Sequence, residues 1–261
     1  MSGLLILAAC HSALERGEAA LDRGDLLTAE QEFRGALADN PDDPEALYGV
    51  GWTFHLAHED AAARDAFEQL RSRYPDSPLG YRGMGSLLFG QGDLAAARVQ
   101  LDLAVARAPA DVRATQSLAL LDLAEDKPAD ALTRMDAAIA SAPDSSELHQ
   151  TRAAVLVQLG RADEALTEVE RAADLADNPR ETATAELTRA RALVSSVEAR
   201  VDAGHCEGAA AVFAWLHEAD LALDRAQATG VHDDQVSAGR RDVRRRRSFV
   251  EDACPGAGER K

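Results

Sequence analysis

The sequence predicts an all-α fold, a solenoid of antiparallel helix pairs closed by a C-terminal capping helix, on three observations. Hydrophobic residues make up 46% of the chain but aromatics only 4%, the apolar share being mostly Ala and Leu. Those two residues lose little freedom in a helix, whereas β-branched and aromatic side chains favour strands. Side chains of matching size recur every 34 residues over about 170 residues, the sequence signature of stacked repeats. Prolines punctuate the same interval, at Pro41, Pro75, Pro109 and Pro143.

The elements follow in order along that ruler. Ser12 and Glu15 form an S-x-x-E capping box, so the first helix begins at about Ala13. Arg23-Gly24-Asp25 turns the chain into a second helix, with the glycine suited to a left-handed C-cap, and Gln91-Gly92-Asp93 does the same later. Pro41 ends the second helix because it lacks an N–H and disfavours helical geometry in the residue before it. Repetition gives five pairs within residues 10–177, at roughly 10–43, 44–77, 78–111, 112–145 and 146–179. After Ala172 the ruler slips, and Pro179 arrives two residues late. Residues 181–203 read as a longer helix with the stripe Leu187, Ala190, Leu193, Val194 and Val197. A break at Gly204 and a helix over residues 208–228 complete a degenerate sixth pair, residues 180–230. A last helix over residues 233–253, within the segment 231–261, closes the final apolar face that a solenoid must cover.

Each register has a physical reading. Gly17, Gly51, Gly85, Ala119 and Ala153 are small enough for the second helix of a pair to approach the first, with Ala29, Ala63, Ala97, Ala131 and Ala165 as partners. Phe33, Phe67, Leu101, Met135 and Val169 are knobs buried against the next repeat, and Ala36, Leu70, Ala104, Ala138 and Ala172 hold a further position. These offsets resemble the tetratricopeptide repeat (TPR) family, a 34-residue helix–turn–helix unit, over residues 10 to about 177. The resemblance implies a right-handed solenoid that binds proteins. The chain departs from the pattern where the first helix of a unit usually carries Trp, Leu and Tyr. Those slots read Leu47, Val50 and Phe54 in the second repeat and Tyr81, Met84 and Leu88 in the third. The first repeat has Ala13, Arg16 and Ala20, as suits a terminal repeat facing solvent, and the fourth puts Asp122 in the Tyr slot.

The opening stretch reads differently. Leu7-Ala8-Ala9-Cys10 has the form of a lipobox, the site where a bacterial secretory signal is cut before a cysteine that becomes lipidated. The apolar run spans only residues 4–9 with no Lys or Arg ahead of it, short of a full signal peptide. Lying before the Ser12 cap, that run would be exposed if it stayed. The expectation is therefore a signal segment over residues 1–9 and a lipid anchor on Cys10, with a short buried N-terminal helix as the alternative; a truncated or misassigned start would account for the missing cationic residues. His11 after the cysteine suits the outer membrane, and a periplasmic location follows, with a cytoplasmic one as the alternative. With Cys10 lipidated, Cys206 and Cys254 remain, an even pair in an oxidising compartment and the expected disulfide.

Charge excludes one class of partner. The chain carries −17, yet residues 239–261 hold eight Lys/Arg and four acids, a +4 tail on a −21 body. Nucleic acid demands a cationic face, and this body repels phosphate. The run Arg240 to Arg247 is expected to lean on the chain's own acidic surface, with anionic lipid head groups as the alternative. No phosphate-binding glycine loop, nucleophile elbow or HExxH motif is present, and no cofactor is implied. His55, His58, Glu59 and Asp60 cluster by sequence only, at a turn between two helices. His205, Cys206 and His217 match no usual zinc spacing. Neither group predicts a metal, and nothing points to catalysis.

What remains is an inner face. The resemblance places ligand-facing positions at Tyr48, Trp52 and His55 in the second repeat and Arg82, Ser86 and Phe89 in the third. The fourth supplies Arg113, Gln116, Leu120 and Leu123, and the fifth Gln150, Ala154 and Val157. Trp52 and Phe89 stand outside the core slots, and Arg82 and Arg113 are expected to meet acidic groups on a partner. The basic clamp by which some relatives hold a terminal carboxylate is missing, with Leu14, Glu18, Gly49 and Leu56 in its place. The reading is a non-enzymatic scaffold holding a peptide or helix of a partner protein. It resembles small TPR lipoproteins of pilus or secretin assembly; a cytosolic adaptor in a signalling or enzyme complex is the alternative.

Overall fold

A computed structural model describes residues 12–200, 209–230 and 233–254, and these are helical apart from short connections. Cys10, Cys206 and His205 lie outside the described residues. The chain divides into two compact units, residues 1–109 and 110–261.

The first unit contains α1 (Ala13–Asp22), α2 (Leu26–Asp39), α3 (Pro44–Leu56), α4 (Asp60–Arg73), α5 (Leu79–Gly90) and α6 (Leu94–Arg107), packed as consecutive pairs. Local chemistry sets their starts. The Ser12–Glu15 capping box closes in both directions, satisfying two donors that the first turn leaves open. Asp25, Asp43 and Asp93 accept from the first-turn amides of α2, α3 and α6. Proline sets the ends: α2, α4 and α6 stop two residues before Pro41, Pro75 and Pro109. The intervening Asn40, Tyr74 and Ala108 have φ near −130°, outside helical geometry, as a following proline requires.

The turns inside the pairs carry a register that the side chains hide. Gly24, His58, Gly92, Asp126 and Gly160 are 34 residues apart, and every one has φ between +59° and +81°. His58 thus occupies the left-handed turn position that glycine fills elsewhere.

Packing in the first unit centres on two phenylalanine rings, each held between glycines of successive first helices. A Cβ on Gly17 would lie 2.7 Å from the Phe33 ring, and one on Gly49 would lie 2.5 Å from it. The Phe67 ring sits 2.7 Å from the Cβ position of Gly51 and 2.3 Å from that of Gly83. The small residue therefore makes room first for the ring, and the close approach of helices follows from it. Both rings are essentially inaccessible, as are Ala29, Ala63 and Ala97.

The second unit contains α7 (Val112–Ala124), α8 (Pro128–Ser141), α9 (Ser146–Gln158), α10 (Ala162–Leu175), α11 (Pro179–Arg200), α12 (Ala209–Ala228) and α13 (Asp233–Ala253). Its knobs are smaller: Met135 is buried with Ala119, and Val169 with Ala153. Asp122, in the slot where an aromatic was expected, is 2% exposed and takes the Arg134 Nε–H at 3.0 Å. A carboxylate buried in this way needs a cation, and Arg134 on α8 supplies it. His149 is buried between the Glu168 carboxylate at 2.7 Å and the Pro143 carbonyl at 2.9 Å, while Arg152 joins Glu168 to Asp136.

α13 closes this unit against α11 and α12. Val236, Val243 and Val250 form its buried stripe, and Gly239 lets it approach Leu223. Its arginines lean on α12, Arg240 reaching Asp224 at 2.6 Å and Arg247 reaching Asp220 at 2.8 Å, and Arg245 pairs with Asp242 one turn back. These pairs are partly exposed and worth about 0–1 kcal/mol each, so the valines do most of the holding. Cys254, just beyond α13, is buried and disulfide-bonded.

Two outcomes follow. Gly83→Ala forces a Cβ into the Phe67 ring and should destabilise by about 1–3 kcal/mol, while Phe67→Leu in the same chain should recover part of the loss; denaturant melts of both single variants and the double check the coupling. His58→Gly should stabilise by about 0.5–1 kcal/mol, the relief of left-handed strain net of glycine's greater unfolded freedom, and Asp126→Gly by less because Asp tolerates that region better.

Candidate functional site

The inner-face positions fall on the first helices of pairs and divide between the units, with different chemistry in each.

In the first unit, helical spacing aligns Tyr48, Trp52 and His55 along α3. Tyr48 and Trp52 stack with centroids 6.0 Å apart and planes 14° from parallel, and His55 lies 5.1 Å beyond Trp52. From α5, Arg82 sits over the Tyr48 ring at 4.6 Å, with its Nε–H directed at the Tyr48 hydroxyl at 3.4 Å. Tyr48 and Arg82 are each 9% exposed, whereas Trp52, His55, Ser86 and Phe89 are half-buried.

Two expectations change. Arg82 packs on Tyr48 and is largely buried, so little of it is offered to a partner. Trp52 packs against the cluster of Leu47, Tyr48, Phe67 and Met84, so truncating it removes core contact as well as groove surface.

His55 is the titratable member of this run. Burial, with a smaller contribution from neighbouring His58, lowers its pKa below the ordinary histidine value, and Asp60 opposes the shift. Its Nδ1 is buried with no hydrogen-bond partner. The neutral ring suits such a place, because protonation would put an unmatched charge there.

In the second unit the same positions tie the protein to itself. Gln116 on α7 donates to Thr151 Oγ1 at 2.7 Å and to the Glu147 carbonyl at 3.2 Å on α9. Gln150 on α9, 7% exposed, donates to Ser146 Oγ at 3.0 Å and to the Glu181 carbonyl at 3.1 Å on α11. Arg113 stands exposed, 3.8 Å from Glu147. Leu120 is exposed, Leu123 is half-buried against the Met135 cluster, and Ala154 and Val157 are half-buried. Only Arg113 and Leu120 among these project substantially into solvent.

Among the described residues no group of three or more His, Cys, Asp and Glu is arranged to hold a metal ion, and no helix is long and apolar enough to cross a membrane. The residue that sequence reasoning missed is the exposed acid Glu45, which the helical spacing places on the face of Tyr48, Trp52 and His55 at the start of α3.

Two family models, both described as tetratricopeptide repeat, match the chain, one over residues 14–78 and 60–112 and the other over residues 122–187. TTC0263, a thermophilic TPR protein of Thermus thermophilus, is 25% identical with a TM-score of 0.56, covering 63% of this chain and 90% of its own. PilF of Pseudomonas aeruginosa is 17% identical with a TM-score of 0.55 over 88% of this chain and 96% of its own. The structure of the APC/C hetero-tetramer Cut9-Hcn1 gives a TM-score of 0.63 at 13% identity, with 88% of this chain spanning 42% of that one. These last two likenesses concern the fold alone. No curated protein matches the chain significantly.

One outcome concerns His55. Its pKa is lowered in the folded protein, so the unfolded chain takes the proton first, and stability falls as pH drops through the ordinary histidine range near 6.5 toward the folded value. Denaturant melts from about one unit above that ordinary value to about one and a half below it should show a smaller acid loss in His55→Gln than in wild type.

Proposed function

The chain belongs to the tetratricopeptide repeat family, and on that premise we propose that it is a non-enzymatic scaffold of the bacterial envelope, holding a partner segment on the inner faces of its first helices. TPR repeats serve protein–protein interaction, and the aromatic run of α3 offers a partner the half-buried Trp52 and Phe89. Aromatic side chains of this kind are enriched at binding hot spots.

The compartment reading is carried by Cys254. A buried, disulfide-bonded cysteine belongs in an oxidising environment, where disulfides form and persist, and is rare in a reducing cytosol. Cys206 is the partner proposed for it. The Leu7-Ala8-Ala9-Cys10 lipobox supports the same reading, with Cys10 as the lipid anchor to the outer membrane. Within the envelope, assistance to the assembly of a pilus or secretion complex is the role proposed, supported by the repeat number and the lipobox.

Cell fractionation with thiol labelling tests the proposal. Wild type should fractionate with membranes, its Cys10→Ser variant should leave the membrane fraction, and Cys206 and Cys254 should resist alkylation until reduced. Two thiols that alkylate at once in the unfolded, unreduced protein, with a soluble wild type, would establish the cytosolic adaptor instead.

A further inference from the structure

We propose that the segment held on the inner face of the first unit is cationic, seated by a lysine or arginine over Trp52. The proposal rests on the groove reading above and names its chemistry.

The first observation is how this unit uses its own arginines. Arg34 lies 5.7 Å from the centre of the Phe54 ring, Arg71 and Arg107 lie 5.1 and 3.7 Å from that of Tyr81, and Arg82 lies 4.6 Å from that of Tyr48. Trp52, whose indole is the strongest cation-attracting face of the aromatic side chains, carries no guanidinium of the chain's own among the described residues. It lies beside Tyr48 in the same stack, half-buried, so part of its surface stays open to a visitor.

The second observation is the charge around it. Glu45, Tyr48, Trp52 and His55 follow one another at spacings of three and four residues, which aligns them along one side of α3, and Asp60 beyond the following turn is close enough to act on the His55 ring. Glu45 and Asp60 are exposed and enter no ion pair among the described residues. Residues 12–109 hold 17 acids against 9 arginines, so the field over this face draws cations and repels carboxylates. The half-buried His55 ring, its pKa lowered by desolvation, favours the neutral form and adds no opposing charge near neutral pH. The arginine nearest the stripe, Arg82, is occupied by Tyr48. A basic segment finds here a half-buried indole on an acidic surface.

The chain has two tryptophans, so a Trp215→Phe background makes Trp52 the sole indole reporter. Three capped dodecapeptides of one design, with Arg, Gln or Glu at the variable positions, are titrated at physiological salt. The Arg peptide should change Trp52 emission and bind about tenfold tighter than the Gln peptide, with the Glu peptide weaker still. Glu45→Gln with Asp60→Asn, two exposed charge removals whose small helix-start losses are read in a parallel melt, should weaken the Arg peptide about tenfold. Trp52→Phe, which keeps a ring in the core but removes the reporter and is therefore titrated by calorimetry beside the parent, should weaken it too, whereas a nonspecific attraction to the acidic body would be indifferent to that change. If the Glu or Gln peptide binds at Trp52 as tightly as the Arg peptide, the cationic assignment falls while the groove stands. If no peptide perturbs Trp52, both fall.

Discussion

The first unit depends on a single steric fit, an aromatic ring held between two positions that lack a Cβ. Phe33 and Phe67 each occupy space that any side chain on the facing glycines would fill, and this fixes the distance between successive first helices. Interiors packed to crystal-like density do not stretch to absorb such a change, so ring and glycines specify each other. The same demand is met with smaller parts further on. Where the knob becomes Met135 and then Val169, the residue beneath it becomes Ala119 and then Ala153. What the repeat preserves is a small residue facing each apolar knob.

That explains how much the sequence disclosed. The 34-residue period, the helix pairs and their proline ends were legible because each rests on one residue type with one local consequence. The turn register was half hidden, because Gly24, Gly92 and Gly160 share their backbone conformation with His58 and Asp126, whose side chains suggest other roles. Gly49 and Gly83 escaped notice for a related reason: their purpose lies in a ring from the preceding repeat, 16 residues back in sequence. The expected pairing of Cys206 with Cys254 rested on counting the cysteines left once Cys10 is assigned to lipid.

The candidate site was legible in position and obscure in detail. Register puts Tyr48 and Arg82 on an inner face, but whether either reaches solvent depends on what stands one repeat away. Here each covers the other. Gln116 and Gln150 show the same dependence: register offers their amides to a partner's backbone, and they bond instead to the next first helix. The second unit thus spends its inner polarity on internal order, while the first keeps a partly open indole.

The valine stripe of α13 has a consequence for how the chain comes apart. In a repeat array, a terminal element normally frays first, because it has neighbours on one side only. α13 instead lays Val236, Val243 and Val250 across α11 and α12 together, and the residue that follows it is cross-linked. Its opening is therefore coupled to that of the helices beneath it, so this last helix exchanges and unfolds with them rather than ahead of them.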